Sequence, residues 1–372
     1  IITDMVLDWL QNDREADKPF LMMYLHKAPH REWFPHPRHY KEFTDKTFPE
    51  PETLFDDYEG RGTAAKTAEM RILDDMNWAG DLKVYPQVMD ELGLEKNMRW
   101  DKAAFEREYG RMSDKNQARW DSVYRPVMVE FKKNYPDMTV EDELKWRYQR
   151  YMQDYLGSIA AVDEGVGQVL DYLEESGLAD NTIVIYTSDQ GFYLGEHGWF
   201  DKRFIYEESF RTPLLIKWPG VTEPGSKNTE MVQNLDFAQT ILDAVGIDAP
   251  DDMQGESLVP LLSGKVDNWT RDAVYYHYYE YPAIHMVKRH YGIVTKEYKL
   301  VHFYYDVDEW ELYDRKNDPM EMNNVYDDQE YADVVADLKE RLKKLRAYYK
   351  DSEELDQKFI DVYKERGWIG SE

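Results

Sequence analysis

Thr182-Ile183-Val184-Ile185-Tyr186-Thr187 runs directly into Ser188-Asp189-Gln190-Gly191. The first six residues are β-branched or apolar almost without interruption, the pattern of a strand covered on both faces. The next four break it with a polar turn ending at a glycine. Two further runs of the same kind, residues 20–25 and 214–218, are also bounded by turn residues. Between residues 25 and 182, Leu156, Ile159, Val162, Val166, Val169, Leu170 and Leu173 recur at three- and four-residue spacing before Gly177, which predicts an amphipathic helix. After residue 218, Asp236 caps another helix, with Ile241, Leu242 and Val245 inward and Gly246 as its stop. Strands alternating with helices predict a layered α/β domain with a largely parallel sheet. In such sheets ligands gather at the carboxyl ends of strands, which is where Asp189 and Gln190 fall.

The 372 residues carry 46 Lys and Arg against 74 Asp and Glu, a net charge of −28. That field repels polyanions and no long basic run offsets it, so no nucleic acid is expected as a partner. No segment reaches the roughly 18 uninterrupted apolar residues of a membrane span, so none is expected either. Aromatic residues make up 15%, which excludes disorder as the main state. The absence of cysteine removes disulfides, zinc–thiolate sites and a cysteine nucleophile from these residues. The chain opens without Met, inside a helix-like stretch over residues 1–10, and is expected to be a piece of a longer polypeptide.

Residues 63–151 are charged and rich in Trp and Tyr, with no strand pattern, and read as a helical insertion. Trp78, Trp100, Trp120, Tyr124, Trp146 and Tyr148 could stack on sugar rings, but packing within helices is the favoured reading. Past about residue 264 the composition shifts. Tyr-rich stretches at 274–281, 290–295 and 298–305 predict antiparallel strands. A turn-rich stretch, 314–324, follows, then an amphipathic helix carrying Tyr331, Val334, Val335, Leu338, Leu342 and Leu345. The expected organisation is an α/β domain over 1–264, containing the insertion, and a small α+β module over 265–372.

A carboxylate beside an amide, Asp189 and Gln190, offers hard oxygen ligands suited to Ca²⁺ or Mg²⁺. The plainer alternative is that Asp189 caps the turn at Gly191. His197 and Lys202 follow in a loop holding Gly191, Gly195 and Gly198, which lets backbone and cations approach a tetrahedral oxyanion such as sulfate or phosphate. Each alone would be an ordinary solvated side chain. His26-Lys27-Ala28-Pro29-His30-Arg31-Glu32-Trp33 directly follows the run at 20–25. Two His, a Lys and an Arg are costly as core, and an imidazole suits protonation of a leaving oxygen near neutral pH. The alternative is a basic surface turn. His277, His285, Lys288, Arg289 and His290 gather positive charge in an acidic chain. They suit an anionic sugar, or form a strand face paired with Glu280 or nearby acids.

Together these stretches resemble the formylglycine-dependent sulfatases of the alkaline phosphatase superfamily, and among them N-acetylglucosamine-6-sulfatases and related bacterial glycan sulfatases. The resemblance rests on Lys18-Pro19-Phe20 through Pro29-His30, on Tyr155, Gly157, Asp163 and Gly167, and on the continuous run from Tyr186 to Lys202. It continues through Tyr206-Glu207-Glu208-Ser209, Arg211-Thr212-Pro213-Leu214, and Glu311-Leu312-Tyr313-Asp314 with Asp318-Pro319 and Asn323-Asn324. It implies an alkaline-phosphatase-like layered α/β/α fold with a mostly parallel central sheet, incomplete here, plus a small C-terminal α+β module with an antiparallel sheet. Asp189 and Gln190 would be two ligands of a calcium ion, Gln190 standing where many members have Asn or His. Lys202 and His30 would bind sulfate oxygens, His30 also protonating the departing sugar hydroxyl. His197 matches a position common in the glycan-acting branch. Lys27, His285, Arg289 and His290 are candidate substrate contacts.

The family's nucleophile is a formylglycine made by a maturation enzyme from the first residue of a Cys/Ser-x-Pro/Ala-x-Arg motif. This chain has no Cys, and its nearest serine match, Ser158-Ile159-Ala160-Ala161-Val162, ends on Val in place of Arg. The nucleophile and the family's paired metal carboxylates are expected upstream of Ile1, which would leave these residues inactive alone. A sulfated carbohydrate substrate and a periplasmic or secreted location are what the resemblance implies. A phosphodiester or phosphonate hydrolase of the same superfamily, or a noncatalytic glycan-binding remnant, are the alternatives.

Overall fold

The computed structural model describes residues 1–94 and 101–367, so Trp100 lies outside the described residues. The chain forms two compact units, residues 1–54, 70–182 and 194–200 in the first and 55–69, 183–193 and 201–372 in the second.

The first unit is organised by the 36-residue helix Val140–Glu175. Its start is specified locally: the Thr139 hydroxyl accepts from Asp142 N at 3.1 Å, while the Asp142 carboxylate accepts from Thr139 N at 3.0 Å. Glu141, Asp142 and Glu143 sit in the first turn, against the positive end of the helix dipole. Gly177, at φ +71°, ends it in the left-handed conformation that glycine adopts at little cost. The helix Asp114–Asn134, capped by Ser113, belongs to the same unit. Between residues 63 and 151 every regular element described is helical. The aromatic residues there pack together. Trp120 stacks on Tyr124 at 3.9 Å, and Phe131 on Trp146 at 4.0 Å. Trp78, Trp120, Tyr124 and Tyr148 are buried, so core packing, and not exposure to sugar, describes them.

Residues 20–26 depart from expectation. They pair in no ladder among the described residues, and Leu21, Met23 and Leu25 are 68, 71 and 68% exposed. The opposite side packs inward: Tyr24 OH lies 2.5 Å from Thr3 Oγ1, and a Cβ on Gly165 would stand 2.7 Å from that Tyr24 hydroxyl. The apolar run reflects a segment with apolar groups on both sides, only one of which is covered by described residues of its unit.

In the second unit, Val184–Thr187 pairs with Leu214–Lys217 in antiparallel register, Thr187 opposite Leu214 and Val184 opposite Lys217. These two runs were expected in a largely parallel sheet. A continuous apolar run carries no information on direction, nor are these strands covered on both faces among the described residues, Tyr186 being 44% and Leu215 67% exposed; residues 188–213 turn the chain back on itself, with Thr187 Oγ1 donating to Pro213 O at 2.9 Å. The C-terminal sheet is antiparallel, in the order Ala273–Tyr278, His290–Thr295, Tyr298–Phe303, Glu309–Asp314. Leu338 and Leu342 of the helix Ala332–Tyr348 cover it, over Ala273, Ile293, Leu300 and Leu312. The fourth strand was read only as part of a closing turn. Its Glu-Trp-Glu-Leu-Tyr-Asp composition lacks a strand signal, because Glu311 is buried and accepts from Tyr206 OH at 2.7 Å. Asp236 is the first residue of its helix, not the residue before it, and its carboxylate ties Gln233 N, Glu256 N and Arg271 together.

One contact in this module has a pH consequence. Burial raises the pKa of Asp351, but hydrogen bonds from His277 and Tyr275 and the charge of Arg346 outweigh it and hold the carboxyl below the usual carboxylate range. A depressed carboxyl contributes stability above its unfolded pKa of about 4, and loses it as pH falls. Acidification below about pH 4 is therefore expected to loosen the helix Glu353–Glu365, whose Asp356 shares Arg346 with Asp351. Hydrogen exchange in residues 353–365, rising on acidification before the sheet exchanges, checks this. Among the described residues no helix is long and apolar enough to cross a membrane.

Candidate functional site

In the second unit, Asp189 and Gln190 follow the end of the strand Val184–Thr187, as expected. Gly191 N donates to Ser209 O at 2.8 Å, and a Cβ on Gly191 would lie 2.1 Å from Glu208 O and 2.6 Å from Arg211 O. Only glycine fits there. Because Ser209 takes that N–H, the Asp189 carboxylate is not spent on capping the glycine turn. It is exposed, with Ser188 Oγ at 3.3 Å. An exposed carboxylate beside a primary amide is a donor set of the kind a hard divalent cation takes.

Lys202 lies near this loop in the same unit, its Nζ 5.6 Å from the Phe192 ring. Its neighbour Asp201 forms a hub: Oδ1 lies 3.3 Å from Lys202 Nζ and 2.9 Å from Arg203 Nη1, and Oδ2 lies 2.8 Å from His285 Nε2. Burial raises the Asp201 pKa, yet the hydrogen bond from His285 and the charges of Arg203 and Lys202 overcome this and hold it well below the usual range. One carboxylate facing two basic side chains leaves the neighbourhood of Lys202 positive, which suits a tetrahedral anion. Asp201 and Arg203 were not singled out from the sequence. Their adjacency to Lys202 was visible, but nothing in the chain links residue 201 to residue 285.

The structure buries the candidate substrate contacts of the C-terminal module. His285 has both ring nitrogens engaged, Nδ1 donating to Glu69 O at 2.6 Å and Nε2 on Asp201. Arg289 is fully buried, with Nε donating to Tyr281 O at 2.8 Å and its guanidinium 4.9 Å from the Tyr363 ring. His290 is fully buried between Lys288 O and Ile205 N, and burial pushes its pKa down to about 3. His277 pairs with Asp351 at 2.6 Å, and Lys288 with Asp306. His285, His277 and Lys288 thus meet the acids Asp201, Asp351 and Asp306, in line with pairing to nearby acids, whereas Arg289 Nη1 and Nη2 are buried with no hydrogen-bond partner among the described residues.

In the first unit, His30 and Lys27 share an exposed turn, His30 N donating to Lys27 O at 2.8 Å. His30 Nδ1 donates to Arg31 O at 2.7 Å, which leaves Nε2 as the nitrogen that can face a substrate. His197 is fully buried at φ +56°, with its N–H donated to Thr53 Oγ1 at 2.9 Å. Gly195 begins this tight loop at φ +106°, where a Cβ would stand 2.7 Å from the Tyr148 ring. Gly195→Ala is expected to cost about 1–3 kcal/mol, from left-handed backbone strain and the ring collision, read as a lowered unfolding midpoint.

The comparisons follow this geometry. The family described as Sulfatase matches residues 1–247, and that described as N-sulphoglucosamine sulphohydrolase, C-terminal, matches residues 195–348. The chain is 48% identical over 366 residues to an N-acetylglucosamine-6-O-sulfatase of Bacteroides thetaiotaomicron, covering 98% of this chain and 64% of that protein. It thus spans somewhat less than two thirds of that relative's length. A solved structure, described as in complex with its substrate D-glucosamine-2-N,6-O-disulfate, aligns with TM-score 0.86 and 47% identity over 95% of this chain and 70% of the other. A phosphonate monoester hydrolase from Silicibacter pomeroyi aligns with TM-score 0.51 and 28% identity, over 57% of this chain and 43% of that one. The fold is accordingly the alkaline-phosphatase-like α/β arrangement with a C-terminal antiparallel module. Matched by the family over residues 1–247, and 48% identical over 98% of its own length to a sulfatase, the chain belongs to the sulfatase family.

Proposed function

We propose that the complete polypeptide hydrolyses sulfate esters on carbohydrates, in the manner of an N-acetylglucosamine-6-sulfatase. The observation that carries this reading is the 48% identity over 98% of the chain to an N-acetylglucosamine-6-O-sulfatase. The exposed Asp189 carboxylate and the positive surroundings of Lys202 support it. The likeness to the phosphonate hydrolase supports the alternative less, since it extends over 57% of the chain at 28% identity.

Asp189 and Gln190 would hold a calcium ion, which when bound supplies positive charge to the anionic sulfate. Lys202, with Asp201 fixing its ammonium, binds a sulfuryl oxygen and neutralises charge that builds on it as the ester bond breaks. His30 presents Nε2 to the bridging oxygen and gives it a proton, so that the sugar departs as an alcohol. A formylglycine outside residues 1–372, made by a maturation enzyme, would furnish the nucleophilic hydroxyl, because no Cys or Ser here sits in the required motif. Residues 1–372 alone would then be inactive, and the complete protein exported to the periplasm or beyond.

The test is sulfate release from N-acetylglucosamine 6-sulfate by the complete polypeptide, followed by ion chromatography. Release that stops with a chelator and returns with Ca²⁺ is expected, with none from residues 1–372. Faster cleavage of a phosphonate monoester, or sugar binding without sulfate release, overturns the reading.

A further inference from the structure

We propose that Asp81 is a positioning residue for His30, acting through Arg31. The inference rests on the reading of His30 as the group that protonates the leaving sugar. All the residues involved lie within the first unit.

His30 is exposed on a turn, and an exposed imidazole ordinarily samples several rotamers and both neutral tautomers. Here its Nδ1 is held by one acceptor, the carbonyl of Arg31, at 2.7 Å. A carbonyl can only accept, so this contact selects the ring form with hydrogen on Nδ1 and reserves Nε2 for chemistry. The hold is as firm as the Arg31 backbone. That backbone is anchored by its own side chain: Arg31 Nε and Nη2 reach Asp81 Oδ1 and Oδ2 at 2.7 and 2.5 Å, a two-pronged pair whose side chains are 9% and 0% exposed. The guanidinium lies 4.9 Å from the Phe200 ring centroid. Asp81 is itself pinned, Oδ2 accepting from Asn77 N at 2.7 Å. On the far side of the turn Trp33 Nε1 donates to Pro29 O at 2.8 Å. The turn is thus fastened on both flanks of His30.

Asp81 belongs to the segment 63–151, read from the sequence as a helical insertion, so the proposal gives that segment a part in the reaction. A buried, bidentate ion pair is a costly way to hold a surface turn, since both charges must be desolvated. It is well suited to fixing the direction of a group whose proton must reach one atom.

The test uses the complete polypeptide. Asp81→Asn keeps the shape but removes the charge opposite Arg31. Because a lone buried guanidinium can unfold the protein, Arg31→Gln with Asp81→Asn is made in parallel, leaving a neutral amide pair. Two readouts are taken: kcat and KM for N-acetylglucosamine 6-sulfate across pH, and the His30 ring tautomer from long-range ¹H–¹⁵N spectra, assigned by comparison with His30→Gln. In wild type His30 is expected as the single Nδ1–H form. In whichever variant folds, mixed tautomers are expected, with kcat lowered about tenfold or more and KM within twofold, and with the alkaline limb of kcat flattened. An unchanged His30 spectrum in a folded variant overturns the proposal, as does a fall in kcat that only tracks loss of folded protein. If wild type releases no sulfate, the functional reading fails, while the spectra still decide whether Asp81 holds His30.

Discussion

Lys202→Ala in the complete polypeptide is expected to lower kcat/KM for a sulfated sugar about 10²- to 10³-fold, with an unfolding midpoint close to wild type. The argument is electrostatic. Lys202 carries one of the two basic charges around Asp201, and its ammonium is the less committed, at 3.3 Å from Oδ1 against 2.9 Å for Arg203. Its side chain is 16% exposed, enough to meet a ligand, whereas that of Asp201 is 5% exposed. Without Lys202 the hub keeps Arg203 and His285, so the second unit loses little stability while charge on a departing sulfuryl group goes unneutralised. Lys202→Arg is expected to recover only part of the rate, because a planar fork does not replace a compact ammonium. Initial rates of sulfate release measure the effect, and a loss under threefold in the alanine variant removes Lys202 from the site.

Lys299→Met is expected to destabilise the protein by about 3–5 kcal/mol, measured by denaturant unfolding. Lys299 and Glu321 form an ion pair with side-chain exposures of 0 and 2%. Burial pulls the Lys299 pKa down and pushes that of Glu321 up, each opposed by the charge of the other. Glu321 also accepts from Glu207 N at 2.9 Å, so the pair joins the loop after Tyr206 to the C-terminal sheet within the second unit. Removing the lysine leaves a buried carboxylate whose remaining cation, Arg315, has its Nε 3.9 Å away. Lys299→Met with Glu321→Gln is expected to recover most of the loss, since the neutral amide needs no counter-charge. The pH dependence has a definite sign. A carboxyl whose folded pKa is raised binds more protons folded than unfolded, so the stability of the single variant rises as pH falls through that raised value toward the unfolded pKa of about 4.3. A penalty that stays constant from pH 8 to pH 5 would contradict this account.

Much of the site was legible because its residues are neighbours in sequence. Ser188-Asp189-Gln190-Gly191 follows an apolar run, and the glycine is required by the 2.1 Å approach of Glu208 O. Lys202 and His30 were reached in the same way, each at a fixed offset from an apolar run that ends in a polar turn. The burial of the C-terminal residues was hidden for the opposite reason. His285, Arg289 and His290 look like a positive surface when only their neighbours in sequence are considered, but the groups that neutralise or bury them lie far along the chain: Asp201 84 residues from His285, and Ile205 85 residues from His290. His197 stands in a glycine-rich loop that suggested exposure, yet Thr53, 144 residues away, receives its N–H and the ring is buried.

The sequence by itself determined the elements whose signals are local. The stop of the helix Val140–Glu175 is written in Gly177, and the three Tyr-rich strands in their composition. The positions of Asp189, Gln190, Lys202 and His30 relative to their own elements are likewise local facts. Only the tertiary structure decided that Thr187 faces Leu214 in antiparallel register, that Glu309–Asp314 is a strand built around a buried glutamate, and that Asp81 grips the residue next to His30. Periodicity and capping act over three or four residues and leave a mark in the chain. Strand direction, buried ion pairs and the burial of a histidine depend on groups tens to hundreds of residues apart, whose meeting is settled by packing and by the need to compensate every buried charge.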